Sequence, residues 1–200
     1  MIRAIVLDFG NVIGFFDHRR AIRKMASYTD VAEEALVGRL YDPELEDAYE
    51  SGRLTTPEFL RTLRQRGGFR CSDDILADCF ADIFWHNPEV CALIPELAAR
   101  YRLVLGSNTT ELHSLRFRQQ FAEQLRYFHA LVLSHEVGAR KPRPAFYEHC
   151  CRRAGHRPDE CLFIDDLPAN VAGAEACGLR GMVYRPGSDL RGQLRAILGA

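Results

Sequence analysis

The chain is short of most of the features that place a protein quickly. It has no apolar run approaching the ~18 residues of a membrane-spanning helix, so a membrane protein is not expected. It has almost no net charge: 26 Lys plus Arg stand against 27 Asp plus Glu, a formal charge of −1. Without a basic stripe, nucleic acid and anionic membranes are not expected partners. Arg clusters such as Arg152-Arg153 read as solvated helix faces. Internal repeats and low-complexity segments are absent. The seven cysteines include no Cys-x-x-Cys pair, which excludes the commonest zinc and dithiol spacings. Most of them (Cys79, Cys91, Cys150, Cys151, Cys161 and Cys177) fall inside helix or strand patterns, where reduced Cys acts as a small hydrophobe. The chain runs into a strand at once, with no signal-peptide pattern. A reduced, cytoplasmic protein is the expectation; the oligomeric state stays open.

What is present is a chain of 200 residues, 47% of them hydrophobic, enough for one domain or one core with an insertion. The segment Ile2-Arg3-Ala4-Ile5-Val6-Leu7 reads as a strand buried on both faces, as in a parallel sheet, and it stops on Asp8-Phe9-Gly10-Asn11-Val12. Similar runs lie at Arg102–Gly106, Ala130–Leu133, Cys161–Ile164 and Gly181–Tyr184. Helical patterns separate them. Asn87-Pro88-Glu89 reads as an N-cap and first turn of a helix that Pro95 should break or kink. Further helices are expected from Pro144 to Ala154, stopped by Gly155, and from Pro168 to Cys177, stopped by Gly178. Strands alternating with helices mean an α/β, Rossmann-like parallel sheet.

Between Gly14 and His86 no strand-like run is found, and several helices start. One is read at Thr56-Pro57-Glu58 and another at Ser72-Asp73-Asp74, followed by Ile75, Leu76, Cys79, Phe80 and Ile83 at helical spacing. The expected organisation is therefore a core of residues 1–14 and 87–200, with residues 15–86 as a small inserted helical cap.

In such a sheet the strands present their carboxyl ends on one edge, where ligands bind. Asp8, Ser107 and the Asp165-Asp166 pair should converge there from separate strands. Lys141 follows the fourth run and precedes a Pro expected to start a helix, which would aim its amine. Taken singly, each has an ordinary structural explanation: a turn Asp, helix caps, a surface lysine. Together, a carboxylate, a hydroxyl, an ammonium and an acid pair suit a phosphoryl group and a hard divalent cation. His18, His86, His113 and His135 match no metal-ligand spacing and read as structural or solvent-facing. Asp-Phe-Gly at residue 8 lacks the glycine-rich and catalytic loops of a kinase.

Four short words carry a resemblance: Asp8-Phe9-Gly10-Asn11-Val12, Gly106-Ser107-Asn108-Thr109, Arg140-Lys141-Pro142 and Phe163-Ile164-Asp165-Asp166-Leu167-Pro168-Ala169-Asn170. In this order, each just after a strand or its loop, they resemble the haloacid dehalogenase-like hydrolase superfamily. Within it the chain is similar to the small-helical-cap phosphatases, such as bacterial α-D-glucose-1-phosphate phosphatase and the phosphatase domain of epoxide hydrolase. The resemblance implies Mg²⁺-dependent hydrolysis of a small phosphorylated metabolite, with sugar phosphates the leading class. Asp8 would form an aspartyl-phosphate, with Ser107 and Lys141 as its catalytic partners. Asn11, Ser107, Asn108 and Lys141 would contact the substrate. Asp8, the Gly10 carbonyl, Asp165 and Asp166 would hold the metal, with Asp166 expected to bind it directly and Asp165 to act through water or Lys141. Asn170 would orient the acid pair from behind.

One departure matters. Many such phosphatases carry a second Asp two residues after the nucleophile to protonate the leaving alcohol, and here that residue is Gly10. A positioned acid–base group contributes ~10²–10⁴-fold; Asp17 and His18, just beyond the turn, are the candidates that proximity in sequence offers for it. Two other readings stay open: a dehalogenase attacking carbon without a metal, and a non-catalytic phosphate-binding module. The acid pair argues against the first, because it would repel a carboxylate substrate.

Overall fold

The alternation of hydrophobic residues along β1 (Ala4–Leu7) sends Ile5 and Leu7 into one apolar cluster and Ala4 and Val6 into another, so the central strand is buried on both faces. The computed structural model describes residues 1–199. After β1 come β2 (Gly14–Phe16), helices α1 (His18–Ala26), α2 (Glu33–Leu40), α3 (Pro43–Glu50), α4 (Thr56–Gly67) and α5 (Asp73–Ala81), and β3 (Phe84–His86). Then follow α6 (Pro88–Ala98), β4 (Arg102–Ser107), α7 (Glu111–Gln120), α8 (Ala122–Leu125), β5 (Ala130–Leu133) and α9 (Ser134–Val137). The chain ends with α10 (Pro144–Ala154), β6 (Cys161–Asp165), α11 (Pro168–Ala176), β7 (Arg180–Val183) and α12 (Leu190–Leu198).

Five parallel strands form one sheet in the order β5-β4-β1-β6-β7. The chain builds outward from β1 on one side and then crosses to the other, so the edge at β1 is where the strand order reverses. Register decides what meets there. Leu7 lies opposite Leu105 on β4 and Ile164 on β6, so the next row of the sheet reads Gly106, Asp8, Asp165. No helix among the described residues is long and apolar enough to cross a membrane. All seven cysteines are free.

Several local expectations change. The insertion does contain strands: β2 and β3 pair antiparallel, with Gly14 opposite His86 and Phe16 opposite Phe84. Each has three residues, too short to show an alternating pattern in sequence. Pro95 does not break α6, which continues to Ala98 over a buried stripe of Val90, Leu93, Ile94 and Leu97. That packing outweighs the one backbone donor that proline removes. Asn87 occupies the N-cap position of α6 without capping it; its amide donates to the Val12 carbonyl (2.8 Å) and to Tyr184 Oη (2.9 Å). Helix α4 opens at Thr56 as read, behind a capping box between Thr55 and Glu58.

Candidate functional site: an ammonium across three strands

The loop after β1 is tied down before any function is considered. The Phe9 carbonyl accepts the N–H groups of Val12, Ile13 and Gly14, and the Phe9 ring stacks on Phe117 with centroids 4.2 Å apart. Asn11 takes a left-handed backbone, φ +54°, one of the few non-glycine residues that does so at small cost. These anchors fix Asp8, whose N–H donates to the Ile164 carbonyl at 2.9 Å, and whose Oδ1 accepts the Phe9 N–H at 2.7 Å.

Lys141 Nζ lies across the row that the sheet register sets up. It reaches Asp8 Oδ1 at 2.6 Å, Asp165 Oδ2 at 2.7 Å and the Gly106 carbonyl at 3.0 Å. An ammonium has three donors, and all three are met by one residue from each of three neighbouring strand ends. The helix that was to aim this lysine begins at Pro144, not Pro142. Asn108 holds it instead: its Oδ1 accepts the Lys141 N–H at 2.8 Å and its Nδ2 donates to the Lys141 carbonyl at 3.1 Å. The Asn108 side chain, expected at the substrate, is thereby engaged with the protein.

The acid pair divides in the same way. Asp165 is fully buried. Its Oδ1 accepts the Leu167 N–H (2.9 Å) and Asn170 Nδ2 (3.0 Å), and its Oδ2 accepts Lys141 and Asn170. With both oxygens committed to Lys141, Asn170 and the Leu167 N–H, Asp165 is placed to act through Lys141 rather than as a direct metal ligand. Asp166 is half-buried and accepts one bond, from Asn11 Nδ2 at 3.0 Å. Asn11, expected at the phosphate, therefore orients Asp166. Asn170 sits behind Asp165 as expected, and its own carbonyl accepts Tyr147 Oη at 2.6 Å, a support the sequence did not reveal. Ser107 is buried on the same edge, its Oγ donating to the Asn108 carbonyl at 3.2 Å. Neither Ser107-Asn108 nor Asp165-Asp166 caps a helix: Thr110 caps α7, and Leu167 stands at the N-cap of α11.

Electrostatics follow from this packing. Burial raises the Asp8 carboxyl above its ordinary range, with Asp165 and Asp166 adding and Lys141 opposing. Burial works against the Lys141 charge, but Asp8 and Asp165 together outweigh it and hold the ammonium above its usual value. Asp166 is also raised, chiefly by burial. Oxygens of Asp8, Asp165 and Asp166 lie within 4.8 Å of one another. Three carboxylates thus face one ammonium, leaving negative charge that an oxygen-seeking divalent cation would balance.

At Gly10 the reason for the missing side chain is visible. A Cβ there would stand 2.9 Å from Phe16 Cε1, so the ring of β2 fills the space an acid would need. Beyond Phe16 lies a cavity of about 30 Å³ lined by His18, Leu40, Tyr41, Glu46, Tyr49, Glu50, Phe59, Phe80, Thr110 and His113. His113 is buried, and burial pushes its imidazole down to about 3, so the ring is neutral near pH 7. Glu50 and Arg140 were not singled out by sequence; only the position of Arg140 next to Lys141 hinted at it.

These features are those of one enzyme class. The family model described as haloacid dehalogenase-like hydrolase matches residues 2–178, and the chain belongs to that family. It is similar over its whole length to a D-ribitol-5-phosphate phosphatase of Bacteroides thetaiotaomicron, 25% identical, with all of that protein covered. Phosphatase MT3486 of Mycobacterium tuberculosis is 28% identical over the whole chain and 96% of its own length. Among solved structures, a family enzyme of Bacteroides thetaiotaomicron in complex with magnesium and inorganic phosphate superposes with a TM-score of 0.83 at 23% identity. That match covers 98% of this chain and 100% of the other, and shows a shared fold.

Proposed function

We propose that the protein is a Mg²⁺-dependent phosphomonoester hydrolase acting on a small phosphorylated metabolite through an aspartyl-phosphate at Asp8. The observation that carries this is Lys141 bridging Asp8 and Asp165, with Asp166 alongside and excess negative charge on the cluster. Asp8, Asp166 and the Gly10 carbonyl would hold the cation, with Asp165 acting through Lys141. Bound there, Mg²⁺ would neutralise the carboxylates and polarise the phosphoryl group, allowing two anions to meet.

The residues of the chain do the rest. Asp8 attacks phosphorus, splitting hydrolysis into two displacements. Lys141 and the Ser107 hydroxyl stabilise charge on the phosphoryl oxygens. With the Asn108 side chain engaged, its main-chain N–H is the group left to meet the phosphate. Asn11 and Asn170 keep the two acids oriented. Residues 15–86 act as a cap that excludes water and shapes substrate choice. The relative named for ribitol 5-phosphate supports a small polyol or sugar phosphate. A metal-free dehalogenase fits less well, because the excess negative charge would repel a carboxylate substrate.

The test is phosphate release from a panel of small phosphoesters with Mg²⁺ or EDTA, comparing wild type with Asp8→Asn. Release that needs both metal and Asp8 is expected. Turnover surviving Asp8→Asn would remove the aspartyl-phosphate, and chloride release from 2-chloropropionate would reassign the chemistry to carbon. A protein that binds phosphate but turns nothing over would be a binding module.

A further inference from the structure

We propose that Glu50, carried by α3 and held to the core by Arg140, protonates the leaving alcohol and then activates water, the work that Gly10 cannot do. This rests on the phosphatase reading above. The turn itself offers no place for an acid, because Phe16 occupies it. The carboxylates of the strand edge are committed to Lys141, Asn170 and Asn11. The two nearby groups that the sequence suggested are poorly suited. Asp17 Oδ1 caps α1 by accepting the Arg19 N–H at 2.9 Å. His18 is lowered by burial, so its ring has no spare proton to give near neutrality.

Glu50 has the complementary properties. It lines the cavity together with Thr110, which closes the same loop that carries Ser107 and Asn108. Arg140 Nη2 meets its Oε2 at 2.6 Å, and Arg140 Nη1 meets Asp47 Oδ1 at 2.7 Å. The guanidinium adjoining Lys141 in sequence therefore ties α3 and Glu50 to the loop that carries Lys141. Around it stand Glu46 and Asp47 of its own helix, Arg140 and Lys141 from the loop before α10, His18 of α1, Tyr41 and Tyr49, and His113 of α7. Burial raises the Glu50 carboxyl to about 7, with Arg140 and Lys141 pulling it down and Glu46 pushing it up. Both protonation states are then populated at neutral pH, as a group that must give and take a proton requires.

The proton balance closes over two steps. As an Asp8 oxygen bonds to phosphorus, the bond to the leaving oxygen breaks, and that oxygen keeps the electron pair and takes the proton from Glu50. In the second step water bonds to phosphorus and passes a proton to the Glu50 carboxylate. The bond between phosphorus and Asp8 breaks, restoring both carboxyl groups to their starting states.

Glu50→Gln separates this role from a structural one. The two substrates are ribitol 5-phosphate, whose alkoxide needs a proton, and p-nitrophenyl phosphate, whose phenolate does not. The expected result is a fall of ~10² or more in kcat/KM for the alkyl ester. With the nitrophenyl ester, a burst of one nitrophenolate per site should persist while later turnover slows. The pH-rate limb near 7 should disappear from the alkyl reaction, and Glu50→Asp should restore part of it. Equal losses of kcat/KM on both substrates, or no loss on either, would overturn the assignment. Should Glu50→Gln fail to fold, Glu50→Asp serves alone, and a graded loss confined to the alkyl ester is then required. Wild-type protein that releases phosphate from neither ester would instead overturn the phosphatase reading.

Discussion

The strand edge and the aromatic wall formed by the insertion and α7 handle charge in opposite ways. At the edge, charge is held by hydrogen bonds that follow sheet register: Gly106, Asp8 and Asp165 lie in one row under one ammonium. On the aromatic wall, ionisable groups sit among rings with few partners. His113 stacks on Phe80 at 4.5 Å, His18 lies against Tyr41 at 4.4 Å with a buried Nδ1 that has no partner, and Glu50 depends on one guanidinium from the core. The edge is an over-determined network built to hold charge in one place. The aromatic wall is a low-dielectric surface whose burial holds His113 neutral near pH 7.

The largest expected effect tests the edge. Lys141→Met leaves Asp8 and Asp165 buried without their cation, which should cost about 3–5 kcal/mol of stability along with phosphate release. Urea unfolding measures it, and a loss below about 1 kcal/mol would mean that the row is not a coupled network. A smaller effect tests the boundary between the regions. Gly10→Asp should not improve catalysis, because its side chain runs into Phe16; overpacking of this kind costs ~1–3 kcal/mol. Phe16→Ala in the same chain should relieve that strain, so the pair should be non-additive in a double-mutant cycle. Additive losses would remove Phe16 as the obstacle.

The smallest effect belongs to the aromatic wall around His113 of α7. An unfolded histidine titrates near 6.5, while His113 in the fold resists protonation down to about 3. Between those values the unfolded chain binds the extra proton, so stability falls as pH drops below 6.5. His113→Gln keeps a donor toward the Phe80 carbonyl and removes the titration. Its stability should therefore decline less steeply from pH 6.5 to 4 than that of wild type, by thermal unfolding. Matching slopes would show that the ring is reached by solvent.

The edge was legible in sequence because a parallel strand announces its own end. Runs such as Ala4–Leu7 and Cys161–Asp165 stop where chemistry begins, and the four motifs follow those stops. The cap was legible only as helices. Nothing in the pattern around Glu50 distinguishes it from the solvated acids Glu44 and Glu46 on the same helix. Its burial arises from packing against Arg140, 90 positions further along the chain. The three-residue strands that frame the insertion were invisible for a related reason: they pair with each other and carry no long pattern of their own.

By itself, then, the sequence determined the order of the parallel strands, the residues that end them, and the set of groups that gather at Asp8. Hydrophobic period and chain order fix those, since a buried parallel sheet presents its carboxyl ends together. Only the tertiary structure decided how tightly Asp165 is committed to Lys141 and Asn170 while Asp166 keeps a freer carboxylate, why Gly10 bears no side chain, and that Arg140 reaches Glu50. Each depends on contacts between residues far apart in the chain, where register, ring packing and burial set position and charge state together.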